Sequence, residues 1–209
     1  MKKIICGMVA VALLMLGGWH VFGAQALPPV NRDNVQVREQ SGQKADVLNG
    51  KKAVVVYFSY TGNTRLLAET IQQLTAADIF ELQPLVPYSK DYKTVEQQGK
   101  QEVETGYKPE LKAQVPNLAD YDVIFVGTPI WWYTLSPVAA SFLSAPELAG
   151  KTIVPFCTHG GYGAGHSLED MRKIAAKSTV LDELVLAGSD KEYSRESITA
   201  WLAKAGFNK

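Results

Sequence analysis

The chain has 209 residues, 46% hydrophobic and 20% charged, and its 21 basic and 21 acidic side chains give a formal net charge of zero. That composition belongs to a globular protein with a substantial core and excludes a disordered chain. The neutral balance argues against a nucleic-acid partner, which would need a basic stripe to meet phosphates.

Residues 1–26 read as a secretory signal peptide. Lys2 and Lys3 precede an apolar run from Ile4 to Leu16, and Ala24-Gln25-Ala26 fits the small-residue cleavage pattern. An uncleaved membrane anchor is the alternative, disfavoured by Gly17, Gly18 and His20. The expected location is exported, periplasmic in a Gram-negative cell, with no stable membrane insertion after cleavage. The absent twin arginine makes export of an unfolded chain the default. Cleavage leaves 19 basic and 21 acidic residues and one cysteine, Cys157, so no disulfide can staple the domain. Residues 27–50 form a polar arm, and the domain begins at Lys51.

From Lys52, apolar runs alternate with amphipathic ones. Residues 53–59 are β-branched and aromatic without alternation, as in a strand buried on both faces. Residues 63–77 follow as a helix with Leu66, Leu67, Thr70, Ile71 and Leu74 on one face. Strands are expected at 78–83, 121–129 and 151–159, the last with a bulge at Pro155. Residues 136–146 form a helix with Ser136 as N-cap and Pro137 at its first position. Residues 167–177 form another, with Ser167 and Asp170 in capping-box spacing. A fifth strand at 178–188 and a helix at 194–206, ended by Gly206, complete the order. Such alternation specifies an α/β domain with a doubly wound five-stranded parallel sheet and helices on both faces. Ligands of such sheets lie at the carboxyl ends of the strands.

Three loops leave those ends. The first is Ser59-Tyr60-Thr61-Gly62-Asn63-Thr64, where a strand meets a helix. Helix N–H groups, short hydroxyls and a glycine suit a phosphate. The chain lacks a P-loop lysine, which points to a monophosphate over a Mg-triphosphate. One hydroxyl would suffice for an ordinary N-cap. The second loop, Thr128-Pro129-Ile130-Trp131-Trp132-Tyr133, has aromatics that can floor a flat ligand or plug a neighbouring loop. The third, Thr158-His159-Gly160-Gly161-Tyr162-Gly163-Ala164-Gly165, frees backbone N–H groups and adds a flat face at Tyr162. It is not the dinucleotide fingerprint.

Together, from about 51 to 207, these features resemble flavodoxin, and "S-x-T-G-N-T" is the most specific of them. A bacterial flavodoxin-like group is the nearer match, through Tyr57 to Thr64, Pro87 to Tyr92, Tyr121 to Trp132 and Gly150 to Thr158. The resemblance implies FMN, its phosphate at Ser59 to Thr64. The isoalloxazine would then lie between the Trp131/Trp132 loop and the 158–165 loop, with Tyr162 opposite one tryptophan and backbone N–H groups at the pyrimidine edge. The implied function is electron transfer outside the cytoplasm, with a redox protein or small molecule as donor or acceptor. An NAD(P)H- or quinone-dependent reductase is the alternative, and a non-redox small-molecule binding protein the second.

Two features depart from the resemblance. Residues 84–120 are long for a connection between strands; their centre, 91–105, is expected to be helical, with Tyr88, Tyr92 and Tyr107 packing the loop or shaping access. The near-neutral charge also contrasts with acidic electron carriers. Cys157 and His159 fall on one strand face, the spacing of a Cys–His nucleophile pair, yet Cys157 also fits an ordinary apolar strand position. His159 is a candidate proton relay at a flavin edge. Sequence motifs for metalloprotease, thiol-redox and serine-hydrolase chemistry are absent.

Overall fold

The computed structural model describes residues 47–188 and 193–207. The expected signal peptide and residues 27–46 of the expected arm lie outside the described residues. Leu48, ahead of the boundary expected at Lys51, is buried in the core. Among the described residues no helix is long and apolar enough to cross a membrane.

The strands are β1 (Ala53–Tyr57), β2 (Asp78–Glu81), β3 (Val123–Trp131), β4 (Thr134–Leu135), β5 (Thr152–His159), β6 (Thr179–Val180) and β7 (Leu184–Ala187). The parallel sheet runs β2-β1-β3-β5-β6, and β7 pairs with β5 beyond β6. The winding direction reverses between β1 and β3, which opens a crevice at their carboxyl ends. Successive strand residues point to opposite faces. Val55, Phe125 and Phe156 pack with α1 (Asn63–Thr75) and α5 (Arg195–Lys204). Val54, Val126 and Ile153 pack on the other face with α3 (Pro137–Leu143) and α4 (Ser167–Ile174).

The buried face of α1 is rotated from expectation. It comprises Thr64, Leu67, Ala68, Ile71 and Thr75, while Leu66 is exposed. Thr64 is buried because its hydroxyl is bonded to that of Thr158 at 2.8 Å.

Pro155 makes no bulge, since the β3–β5 register runs through it, Val126 opposite Pro155. Its effect falls on the neighbouring strand. The carbonyls of Ile153 and His159 accept from Leu181 N–H (2.9 Å) and Gly188 N–H (2.8 Å), so odd-numbered residues of β5 turn their peptide groups toward the fifth strand. Pro155 has no N–H to offer there. The fifth strand accordingly splits into β6 and β7 opposite it.

The capping box expected at Ser167 and Asp170 does not form. His166 is the N-cap of α4 without a side-chain bond, and the Ser167 hydroxyl donates instead to Glu183 at 2.7 Å. The α3 cap does form: Ser136 Oγ accepts from Ala139 N–H at 3.3 Å, ahead of Pro137. Ser136 Oγ also accepts from the Thr128 hydroxyl at 3.0 Å. Ser136→Ala should therefore cost about 1–2 kcal/mol, read as a lower denaturant midpoint at unchanged m-value.

The 84–120 segment is a folded excursion. Its helix α2 (Tyr92–Thr105) is capped by Asp91, which accepts from Thr94 N–H at 2.9 Å. Leu85 N–H donates to Glu110 O and Lys112 N–H to Gln83 O, pinning the two ends together. Tyr88 fastens the helix down by donating to Glu102 at 2.6 Å.

Candidate functional site

The first loop and the start of α1 are built on Gly62. Its φ of 97° lies in the left-handed region, which costs glycine little. Gly62 N–H donates to Ser59 Oγ at 3.1 Å and the Asn63 amide to Thr61 Oγ1 at 3.3 Å, closing the loop on itself. No side chain caps α1. The opening of the helix therefore presents N–H groups and the positive end of its dipole without a protein acceptor. Arg65 is not a free cation beside it, because its guanidinium is paired with Glu81. Whatever anion is held here is held by amides and hydroxyls.

Beside this loop lies a cavity of about 340 Å³. The structure brings Tyr60, Ile130, Trp131, Trp132, His159, Gly160, Tyr162 and Gly163 of the expected residues to its wall. Ser59, Thr61, Gly62, Asn63 and Thr64 stand at the helix opening instead. Thr128 and Thr158 are buried supports: Thr128 is bonded to Ser136, and Thr158 ties the end of β5 to α1. Pro129 and Gly161 are also outside the wall.

The two tryptophans differ. Trp131 meets Phe58, Tyr60 and Tyr88 edge-on, with centroids 5.8, 6.0 and 4.9 Å away. A Cβ on Gly99 of α2 would lie 2.9 Å from its ring, so it is also wedged under that helix. Trp132 is 40% exposed, with its ring N–H donating to Glu96 O at 3.1 Å and Lys100 over the ring at 5.3 Å. His159 Nδ1 accepts from Gly161 N–H at 3.0 Å, so a neutral ring carries its proton on Nε2. That bond also commits Gly161 N–H, one of the amides expected at a ligand edge.

Sequence reasoning missed Val95 and Glu96 of α2; Tyr92, expected to pack the excursion or shape access, and Tyr133, an aromatic of the second loop left out of the cofactor-binding set, join them on the wall. Tyr133 closes the second loop and was one residue from the assigned set. Val95 and Glu96 carry no sequence signal for this place, which follows from where the excursion folds. Tyr88 packs the loop, Tyr92 shapes the cavity, and Tyr107 is exposed away from its wall.

Cys157 is fully buried, and burial, with Glu183 nearby, drives its thiol pKa far above the ordinary value. It is an inert core residue and no nucleophile. Among the described residues no cluster of His, Cys, Asp and Glu could hold a metal. Burial also raises the Glu183 carboxyl above its ordinary 4.5, with bonds from Ser167 and Cys157 opposing. The folded state then binds the proton more tightly than the unfolded chain, so this contribution to stability falls as pH rises through 4.5 and beyond. Glu183→Gln keeps an acceptor for Ser167 and removes the titration. Thermal unfolding should show the variant gaining on the parent from pH 4.5 to pH 7; a constant gap would refute the assignment.

Residues 52–205 match the family described as Flavodoxin. The fold is similar to a protein assigned as a flavoprotein from Bacteroides eggerthii DSM 20697, with TM-score 0.67 and 29% identity over 75% of this chain and 98% of that one. One from Bacteroides uniformis ATCC 8492 gives 0.66 and 27% over 74% and 99%. A Lactobacillus acidophilus NCFM flavoprotein in complex with FMN gives 0.59 and 18% over 72% and 98%, a likeness of fold. No curated protein matches the chain.

Proposed function

The chain belongs to the flavodoxin family, and on that premise we propose that it binds FMN non-covalently and serves electron transfer outside the cytoplasm. The observation that carries the reading is the uncapped opening of α1 beside an aromatic-walled cavity. The donor set fits a monophosphate ester. The amides of the first α1 turn and the hydroxyls of Ser59 and Thr61 are the groups that would hold it, with Thr64 tying the turn to β5. The cavity size and its flat walls suit a ring.

Bound FMN supplies reversible one- and two-electron chemistry. The chain's residues bind, orient and shield. Trp131, locked by its edge-on neighbours, gives a rigid wall. His159 presents a fixed Nε2–H donor. Glycine at 160 and 163 keeps side chains from crowding the opposite edge.

The Lactobacillus complex with FMN supports the cofactor by kinship of fold, and the sequence of residues 1–26 supports export. One observation favours a second reading, a reductase acting on a small molecule. Helix α2 walls the cavity but leaves it open to solvent beside the exposed Tyr92, so a second molecule can reach what it holds. The test is to purify the protein after expression of the full chain, sequence its N-terminus and titrate it with FMN. Quenching of flavin fluorescence and an N-terminus at Leu27 are expected. Unquenched flavin would end the FMN reading; an intact Met1 on protein in the membrane fraction would favour the uncleaved anchor, and on protein in the cytoplasmic fraction would end the export reading.

A further inference from the structure

We propose that Gly188, the residue after β7, is a positioning residue for the anion end of the site. By carrying no side chain it leaves Asn63 seated on Thr61, and so keeps the Thr61 hydroxyl a donor to the phosphate. The proposal rests on the FMN reading and deepens its phosphate end. A Cβ built on Gly188 falls 2.7 Å from Asn63 Nδ2, 3.3 Å from its Cγ and 3.5 Å from its Cβ. Beyond its chain neighbours, the three heavy atoms nearest to that position all belong to this one side chain. Strand pairing brings the two residues together. β7 runs beside β5, and Gly188 N–H donates to His159 O at 2.8 Å, which carries the end of the fifth strand to the first loop.

Gly188 is outside the left-handed region that reserves Gly62, Gly161, Gly163 and Gly165 for glycine. What reserves position 188 is the space taken by Asn63. The atom met first is the tip of a side chain that turns about two bonds, so an added methyl group displaces the amide and leaves the fold standing. The next residue, Thr64, is held to β5 by Thr158, which confines the movement to the Asn63 side chain.

The place of that amide decides what Thr61 offers a ligand. A hydroxyl has one hydrogen to give and two lone pairs to receive. Thr61 Oγ1 accepts from Asn63 Nδ2–H at 3.3 Å, and Ser59 Oγ accepts from Gly62 N–H at 3.1 Å. Neither hydroxyl hydrogen has an acceptor among the described residues. The bonds inside the loop therefore occupy the inward lone pairs and leave both O–H groups to donate outward. A phosphate monoester dianion only accepts, so it gains a charge-assisted bond from each. With the amide displaced, the Thr61 hydroxyl loses the bond that orients it, and the anion loses one directed donor.

The test titrates Gly188→Ala, Asn63→Ala and the double variant with FMN and, separately, with riboflavin, and measures Tm for each. FMN affinity should fall about tenfold in Gly188→Ala, the loss of one hydrogen bond to a charged group, while riboflavin affinity and Tm hold. Asn63→Ala should lose a similar factor. The double variant should lose no more than Asn63→Ala alone, because the methyl group at 188 then has no amide to displace. An unchanged FMN affinity in Gly188→Ala, equal losses for the two flavins, or additive losses in the double variant would each overturn the proposal. If FMN fails to bind the parent protein, the cofactor reading falls by itself, and titration with inorganic phosphate decides the role of Gly188. Amide resonances of residues 62–65 that move in the parent and move less in Gly188→Ala support it; no movement, or equal movement, overturns it.

Discussion

Replacing Gly165 by alanine should destabilise the protein by about 3 kcal/mol and displace the Trp132–Tyr133 turn. A Cβ built there falls 2.0 Å from the Tyr133 carbonyl oxygen and 2.8 Å from its Cα, both backbone atoms. No rotamer relieves a collision with backbone. Gly165 also has φ of 60°, a region that costs a non-glycine residue about 1–2 kcal/mol. Overpacking adds about 1–3 kcal/mol more. Gly163→Ala is the control: φ is 75°, but nothing lies within 4 Å of its Cβ, so only the backbone cost of about 1 kcal/mol applies. Denaturant midpoints and near-ultraviolet circular dichroism of the two variants separate close approach from conformation. Equal losses would mean that the contact with Tyr133 contributes nothing.

Riboflavin should bind at least about 100-fold more weakly than FMN. The two ligands share the ring and differ in the phosphate, so their ratio isolates the opening of α1. Two charge-assisted hydrogen bonds to amides there, at about 1.5 kcal/mol each, account for that factor. The helix end is uncapped and Arg65 is engaged by Glu81, so neither a side-chain acceptor nor a free cation there obscures the comparison. Fluorescence titration of both flavins gives the ratio directly. A ratio below about five would place the phosphate elsewhere and would break the link between the first loop and the cavity.

The helix face and the capping residues show where sequence reading loses its grip. Hydrophobic spacing assigned Leu66 to the buried side of α1, yet Thr64 is buried and Leu66 exposed. A threonine is counted as polar until its partner is known, and Thr158 is 94 residues away. Ser167 has the spacing of a cap, but a half-buried glutamate between β6 and β7 claims its hydroxyl. In both cases a distant group outcompetes a local preference.

Sequence by itself determined the alternation of strands and helices, the parallel sheet and the three loops at its carboxyl ends, but not the short antiparallel β4 or the split of the fifth strand. Those follow from local causes: continuous apolar runs of strand length, helical periodicity, a glycine where a strand must turn into a helix, and Ser136 ahead of Pro137. Tertiary structure alone decided which residues of those loops share one cavity. It wedged Trp131 under α2 and left Trp132 and Tyr133 on a strained turn. It also carried Tyr92 and Glu96 to the opening and routed the effect of Pro155 into the neighbouring strand. The physical reason is that hydrogen-bond competition, close approach and backbone strain depend on groups far apart along the chain, which residue spacing does not encode.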